Sequence, residues 1–383
     1  MYLCIKVSSV TILKRAVVSV INDLSTDVRV DKICRTLSKC GYNVTLVGRL
    51  KRDSRQLDKR DYKTHRMKLL FQKEAVFYAE YNFRLFLYLL FKKADLLYAN
   101  DLDTLLPNYL VSKLKKIPLV YDSHEYFTGV PELENNNFAR NCWIYIEKKI
   151  FPKLKHIFTV NDSIAGLYRK QYNKEVKVVR NVPLKTDFNR EKNRIELGLP
   201  LEKNIIILQG AGINVDRGGE ELIEAMNYIE NTLLLIIGGG DVIDTLKTMT
   251  KKMGLNDRIV FINKLPYSEL MQYTSNADLG LTLDKGTNIN YRFSLPNKLF
   301  DYIMAGIPVL SSDLPEIRKI IEKYDIGEII ESHKPMDIAG KINQMLKDKE
   351  KLKKYTLNTS SALNELCWEN EEVELINVFK LYA

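Results

Sequence analysis

Histidine is scarce in this chain, with four among 383 residues, and that argues against a histidine-rich metal site. Cysteine is almost as rare: Cys4, Cys34, Cys40, Cys142 and Cys367 form an odd set with no CxxC pair. That pattern argues against a disulfide frame or a structural zinc site and fits a reducing compartment. No stretch reaches the ~18 uncharged apolar residues that a membrane span requires. The first apolar runs are interrupted by Lys6, Lys14 and Arg15, so no signal peptide is expected. Zinc-finger, RNP-like and helix-turn-helix patterns are missing, which ranks nucleic acid last among partners. The first strand-to-helix turn also lacks GxGxxG, which weakens a nicotinamide-dehydrogenase reading.

What is present is ordinary for a globular protein: 45% hydrophobic and 28% charged residues. A chain of 383 residues is long for one domain, and two domains of about 180 residues are a natural division. The net charge of +10 is unevenly spread. Residues 1–185 carry 34 Lys and Arg against 18 Asp and Glu, a net +16, which leaves 24 against 30, a net −6, for residues 186–383. A basic first half suits an anionic membrane surface or a phosphorylated substrate.

Apolar strands alternate with helical periodicities along most of the chain, the pattern of a parallel α/β sheet. Residues 16–22 read as a buried strand, Val28–Cys40 as a helix stopped by Gly41, and residues 44–47 as the next strand. Residues 50–66 are charged and read as an exposed loop or edge strand. Residues 74–93, with dense aromatics and two closing lysines, fit a core helix or a membrane-surface helix, and the arrangement does not separate them. Residues 95–99 form a strand, and residues 100–103 cap the helix after it. Residues 118–122 are a strand leading into Ser123-His124-Glu125, a polar triplet where α/β folds place ligands. Residues 157–160 and 176–182 complete the first half, and residues 184–203 read as a linker. The second half restarts with a strand at 204–209, a Gly210-Ala211-Gly212 turn, and Arg217-Gly218-Gly219 opening a helix at 220–228. Glycine beside arginine at a helix start lets a backbone approach a phosphate that the guanidinium pairs with. Strands are expected at 233–240, 258–261 and 278–283, and a helix at 267–275. Helices follow at 336–364 and 368–382.

The chain is organised around residues 290–316, NYRFSLPNKLFDYIMAGIPVLSSDLPE. A polar loop enters a helix at 297–305. Pro296 is pre-set for its first turn, Gly306 ends it, and Pro308 prevents its resumption before a strand at 309–311. Free N–H groups and the positive end of a helix dipole favour an anion at the helix start. Lys298 adds a charge there, and Asp301 stands one turn further on, where a carboxylate suits a sugar diol.

The pattern SLPNKLFDYIMAGIPVLSSDLPEI resembles the nucleotide-sugar site of family 4 glycosyltransferases, and DVRVDKICRTLSKCGYNVTLVGR and VYDSHEYF are similar to that family's opening and histidine segments. The resemblance spans nearly the whole chain and is weakest at 1–15, 50–75 and 335–383. It implies an α/β protein of GT-B architecture, with two facing Rossmann-like domains and a cleft between them. The implied domains are 1–182 on the acceptor side, 183–365 for the nucleotide sugar, and a C-terminal helix at 366–383 crossing back. The implied activity is a retaining, metal-independent hexosyl transfer from a nucleotide-diphosphate sugar, without a cofactor, to a hydroxyl acceptor. That acceptor is expected to be a lipid-linked or cell-surface glycan precursor, met in the cytoplasm or peripherally at the inner membrane face.

By the resemblance, His124 and Glu125 are catalytic. Gly210, Gly212, Arg217, Gly218, Asn297, Lys298, Leu299 and Asp301 bind the donor. Asp27, Arg29, Asn290, Phe293 and Ser294 face the cleft or acceptor, although Asp27 and Arg29 fit helix-capping charges equally well. The chain departs from the family at two positions. Of two acidic residues separated by seven, Asp301 fits the second, as Asp rather than Glu, but the first falls at Phe293. Of two basic residues flanking the first glycine turn, Arg217 fits the second, but the first falls at Gly212. Competing expectations are an epimerase of the same fold, a non-catalytic nucleotide-sugar-binding partner, and a membrane-surface scaffold.

Overall fold

The computed structural model describes residues 13–383 apart from 26, 53, 131, 132, 134, 135 and 186–189. Cys4, Lys6 and part of the 184–203 segment therefore lie outside the described residues. The chain forms two compact units, with a boundary between Val179 and Arg180. The short segment Asn161–Ile164 groups with the second unit and Glu372–Ala383 with the first.

The first unit is built on seven parallel strands: β1 (Arg15–Asp23), β2 (Asn43–Leu50), β3 (Lys63–Lys68), β4 (Leu96–Asn100), β5 (Leu119–Ser123), β6 (His156–Thr159) and β7 (Lys177–Val178). Their order is β3-β2-β1-β4-β5-β6-β7. β1, β4 and β5 are near-continuous apolar runs because helices cover both faces of the sheet. β3 is the edge strand, and its sequence KTHRMK is polar and mostly exposed, which discourages further pairing. The helix Glu74–Phe91 buries Phe77, Tyr81, Leu85 and Leu89, one residue per turn. The Tyr81 hydroxyl donates to the Val20 carbonyl at 2.7 Å. That stripe makes it a core helix, while Phe83 and Phe91 point outward at 64% and 81% exposure. The helix Leu102–Lys115 contains Pro107, which removes the N–H that would reach the Asp103 carbonyl. That carbonyl accepts instead from Asn82 Nδ2 at 2.9 Å. The last helix, Trp368–Phe379, ends within the first unit. There Glu372 accepts from Lys39 Nζ at 2.9 Å, and the Phe379 carbonyl accepts from the Tyr42 hydroxyl at 2.9 Å.

The second unit has six parallel strands: β8 (Asn204–Gly210), β9 (Thr232–Gly238), β10 (Ile259–Ile262), β11 (Leu279–Thr282), β12 (Val309–Ser311) and β13 (Gly327–Ile329). Their order is β10-β9-β8-β11-β12-β13. At the carboxyl ends of β8 and β9, Gly238 has φ +139, and a Cβ there would lie 1.8 Å from the Gly210 carbonyl oxygen. Only glycine lets the two strand ends approach this closely.

The residues expected to be a free linker are partly fastened to this unit. Leu199 is buried in its core, and Arg194 pairs with Asp278 at 2.9 Å. The last first-half strand, expected over residues 176–182, is only two residues long. Beyond it the Val179 N–H still bonds Thr159, but Arg180 turns to Glu371.

Candidate functional site

In each sheet the strand order reverses beside the first strand, between β1 and β4 and between β8 and β11. Chains leaving such neighbours turn to opposite faces and open a crevice at the carboxyl ends. The residues singled out from the sequence collect at these two places, each within its own unit.

In the second unit, β8 ends at Gly210, and Asp284 follows β11 by two residues. Asp284 is fully buried and accepts from the Thr282 hydroxyl at 3.0 Å. It binds two cations: Arg217 Nη1 lies 2.9 Å from its Oδ1 and Lys298 Nζ 3.4 Å from its Oδ2. Burial works to raise its pKa, but Lys298 and Arg217 outweigh this and hold the carboxyl below its usual range. The Arg217 guanidinium also lies over the Tyr291 ring, 4.1 Å from its centroid. Two cations share one carboxylate, so the group carries a net positive charge. Arg217 Nε and Ser294 Oγ are buried with no hydrogen-bond partner among the described residues. Such atoms mark a place for a ligand's acceptors.

Lys298 is placed by the helix Asn297–Ala305, whose bounds match the sequence expectation. Pro296 precedes it, Gly306 closes it in the left-handed region at φ +73, and Leu299 and Phe300 bury its inner face. The loop before it, expected to be irregular, contains a short helix, Ile289–Arg292, started by the Asn288 side chain. On the next turn, Asp301 accepts from the Tyr267 hydroxyl at 2.9 Å and from Gln209 Nε2 at 3.0 Å. Gln209 is held in turn by Thr274 at 2.6 Å. Asn297 is exposed and accepts from Asn181 at 3.1 Å.

Several expectations need correcting. Leu299 is wholly buried in the core, so its side chain cannot meet a donor. At Gly218 a Cβ would lie 2.4 Å from the Leu283 carbonyl oxygen, so this glycine also serves the close approach of the turn to the end of β11. The helix it opens, Gly219–Ala225, continues as a 3-10 turn over Met226–Tyr228 and so reaches the expected 228. Gly210 and Gly212 line the turn after β8, Gly212 being exposed beside Asn214. The Phe293 carbonyl accepts from Asn161 Nδ2 at 2.7 Å, and Asn290 is buried. The sequence reading missed Asp284, Gln209, Tyr267 and Tyr291. A carboxylate directly after an apolar strand was a usable signal for Asp284; the others carry none.

In the first unit, His124 follows β5. Its Nδ1 lies 3.2 Å from Asp101 and its Nε2 3.4 Å from Asp122 and 3.2 Å from Asn100 Oδ1. Asp101 stands at the start of the helix Leu102–Lys115 with φ +58, but it makes no side-chain cap. Its carboxylate accepts instead from the His124 N–H at 2.8 Å. Burial alone would depress the His124 pKa; Asp101 and then Asp122 outweigh it and push it from 6.5 up to about 9. His124 is therefore an imidazolium at neutral pH, a hydrogen-bond donor and not a general base. Glu125 is exposed, and its carbonyl takes the Ser123 hydroxyl at 2.6 Å.

Arg29 was expected to face substrate, but it is 3% exposed and fully engaged. It forms a two-pronged pair with Asp122 at 3.0 and 2.8 Å and donates to the Val179 carbonyl at 2.7 Å. Asp27 caps the helix Val28–Lys39 by accepting from Val30 N at 3.1 Å, and it also binds Asn22 Nδ2. Asp27 takes the helix-capping role that the sequence left open, whereas Arg29 takes neither expected role and forms a buried pair with Asp122.

The His124 charge has a measurable consequence. A pKa raised from 6.5 to about 9 adds stability that is fully present below pH 6.5 and lost as pH rises through 9. The stability difference between wild type and His124→Gln, followed by urea unfolding, should shrink by about 2–3 kcal/mol between pH 6 and pH 10. A difference flat across that range would show an unperturbed histidine.

A cavity of about 450 Å³ opens in the second unit at the opposite, amino-terminal ends of β11 and β12. Its lining includes Asp278, Met304, Pro308, Leu352 and Lys353, and none of the candidate catalytic, donor-binding or acceptor residues.

Residues 27–182 match the family model "Glycosyltransferase Family 4", and residues 189–361 match "Glycosyl transferases group 1". An uncharacterized glycosyltransferase of Methanocaldococcus jannaschii is 22% identical over 308 residues, 76% of each chain. A D-inositol 3-phosphate glycosyltransferase of Corynebacterium glutamicum is 25% identical over 170 residues, 42% of this chain and 39% of that one. Among solved structures, sucrose-phosphate synthase from Thermosynechococcus elongatus superposes with a TM-score of 0.76 at 14% identity, covering 96% of this chain and 98% of that one. Anabaena HepE in complex with UDP-glucose gives 0.70 at 13% identity, covering 96% and 99%.

Proposed function

The chain belongs to glycosyltransferase family 4, of GT-B type, and from that premise we propose that it transfers a hexosyl group from a nucleotide-diphosphate sugar to a hydroxyl acceptor with retention of anomeric configuration. The observation that carries the donor assignment is the convergence of Arg217 and Lys298 on one buried carboxylate at the β8/β11 reversal. A diphosphate needs a site with net positive charge, open donors and little competing water, and this one has a partnerless Arg217 Nε and Ser294 Oγ. The complexes of Anabaena HepE with UDP and UDP-glucose support the same class of donor.

In this proposal Arg217, Lys298 and the first N–H groups of the helix Asn297–Ala305 bind the diphosphate. They stabilise it as negative charge develops on the leaving group, so no metal ion is required for that task. Asp301, already oriented by Tyr267 and Gln209, accepts from ribose hydroxyls. In the first unit His124, with its ring nitrogens held by Asp101 and by Asp122 and Asn100, orders the end of β5 where the transferred sugar is expected. Neither unit supplies a side-chain nucleophile in this scheme. The acceptor attacks on the face the diphosphate leaves, and the leaving phosphate oxygen takes its proton.

The transfer is tested by incubating the protein with UDP-, GDP-, ADP- and TDP-linked hexoses and following released nucleoside diphosphate together with label in hydroxyl acceptors. Release from one donor, dependent on an acceptor and with the product anomer matching the donor, is the expected result. An inverted anomer would overturn the retaining assignment.

The acceptor is proposed to be a glycan precursor at an anionic membrane surface. The support is the net +16 of residues 1–185 and the outward Phe83 and Phe91 beside Lys92 and Lys93. Replacing Lys92 and Lys93 by Glu should weaken binding to anionic vesicles, followed by co-sedimentation, by roughly thirtyfold or more, at about 1 kcal/mol for each lysine lost. Unchanged co-sedimentation would remove the membrane from the proposal.

A further inference from the structure

Between the two cations of the second unit lies a carboxylate that no substrate contact explains. Asp284 is fully buried, meets Arg217 at 2.9 Å and Lys298 at 3.4 Å, and takes the Thr282 hydroxyl at 3.0 Å. A phosphate needs the same two cations, so Asp284 is an internal competitor for them. Its charge is withdrawn from water and is therefore poorly screened. Neither cation depends on Asp284 alone for its place. Arg217 lies over Tyr291 at 4.1 Å, and Lys298 is carried by a helix anchored through the buried Leu299 and Phe300.

We infer that Asp284 is a positioning residue that acts through Arg217 and Lys298: by offsetting one of their two charges it weakens the hold on the leaving nucleoside diphosphate so that product departs. The inference rests on the donor assignment above. Arg217 and Lys298 bring two positive charges and Asp284 removes one, leaving enough to attract the donor and too little to trap the product. This role differs from that of a structural buried pair. Removing a structural partner loosens the site, whereas removing a restraining charge makes the remaining cations bind an anion more strongly.

The test is calorimetric titration of UDP, GDP, ADP and TDP into wild type and Asp284→Asn, at two salt concentrations. For the nucleotide that binds wild type, Asp284→Asn should bind about tenfold more tightly, with a steeper loss of affinity at high salt. Stopped-flow release of the same nucleotide should be correspondingly slower. The double variant Asp284→Asn/Lys298→Met removes a cation with its counter-ion and should return affinity to within about threefold of wild type. It decides the matter if Asp284→Asn alone does not fold, because affinity more than about tenfold below wild type would then overturn the inference. Equal or weaker binding by a folded Asp284→Asn overturns it while leaving the donor assignment intact. If wild type binds none of the four nucleotides, the donor assignment fails and this inference fails with it.

Discussion

Arg29→Ala should lower unfolding stability by about 3–5 kcal/mol, because it strands a buried carboxylate. Asp122 is 0% exposed and Arg29 3%, and the pair is joined by two short contacts. Without Arg29, the side-chain partners left to Asp122 among the described residues are the Tyr98 hydroxyl at 3.1 Å and the His124 imidazolium at 3.4 Å. Arg29 and His124 both act to hold the Asp122 carboxyl far below its usual range against the opposing effect of burial. The Val179 carbonyl also loses its guanidinium donor. Urea unfolding monitored by circular dichroism measures the loss. A wild-type midpoint combined with lost transfer activity would mean that Arg29 is a substrate group after all.

Arg217→Ala should weaken binding of the cognate nucleoside diphosphate by about 2 kcal/mol, roughly thirtyfold, as expected for a charge-assisted phosphate contact. The charge count gives the sign. Wild type sets two cations against Asp284, and the variant leaves Lys298 alone with it, so the site approaches neutrality. Folding stability should change much less, since Arg217 is 23% exposed and Asp284 retains Lys298 and Thr282. Isothermal titration with the nucleotide and thermal unfolding without it separate the two effects. Unchanged affinity would remove Arg217 from the site.

What could be read from the sequence depended on how far apart the partners are. The helix Asn297–Ala305 is announced by neighbours within three residues of its ends, Pro296, Gly306 and Pro308, and its bounds came out as expected. β7 was overextended because the apolar run 176–182 says nothing about where its ladder partner β6 stops. Neither role that the sequence left open for Arg29, facing substrate or capping a helix, is the observed one, for the same reason: the carboxylate that claims it lies 93 residues away, at the end of another strand. Asp101 looked like a helix cap from its position, yet a positive φ turns it toward His124, which no local pattern reports. In the donor region, Arg217, Lys298 and Asp301 were legible as residue types at helix starts. Asp284 carried a local signal as a carboxylate after an apolar strand, but its link to Arg217 and Lys298 becomes visible only when strands β8 and β11 are known to be neighbours.

The central claim, that the start and first turns of the helix Asn297–Ala305 hold a nucleoside diphosphate, is tested most directly by a thermal-shift panel. UDP, GDP, ADP and TDP are titrated against wild type and Asp301→Ala. The account predicts that one nucleotide raises the wild-type melting temperature and that the rise is lost or strongly reduced in Asp301→Ala, whose fold should survive because Asp301 is only partly buried. An equal rise in both proteins would place the nucleotide elsewhere, and no rise with any of the four would contradict the claim itself.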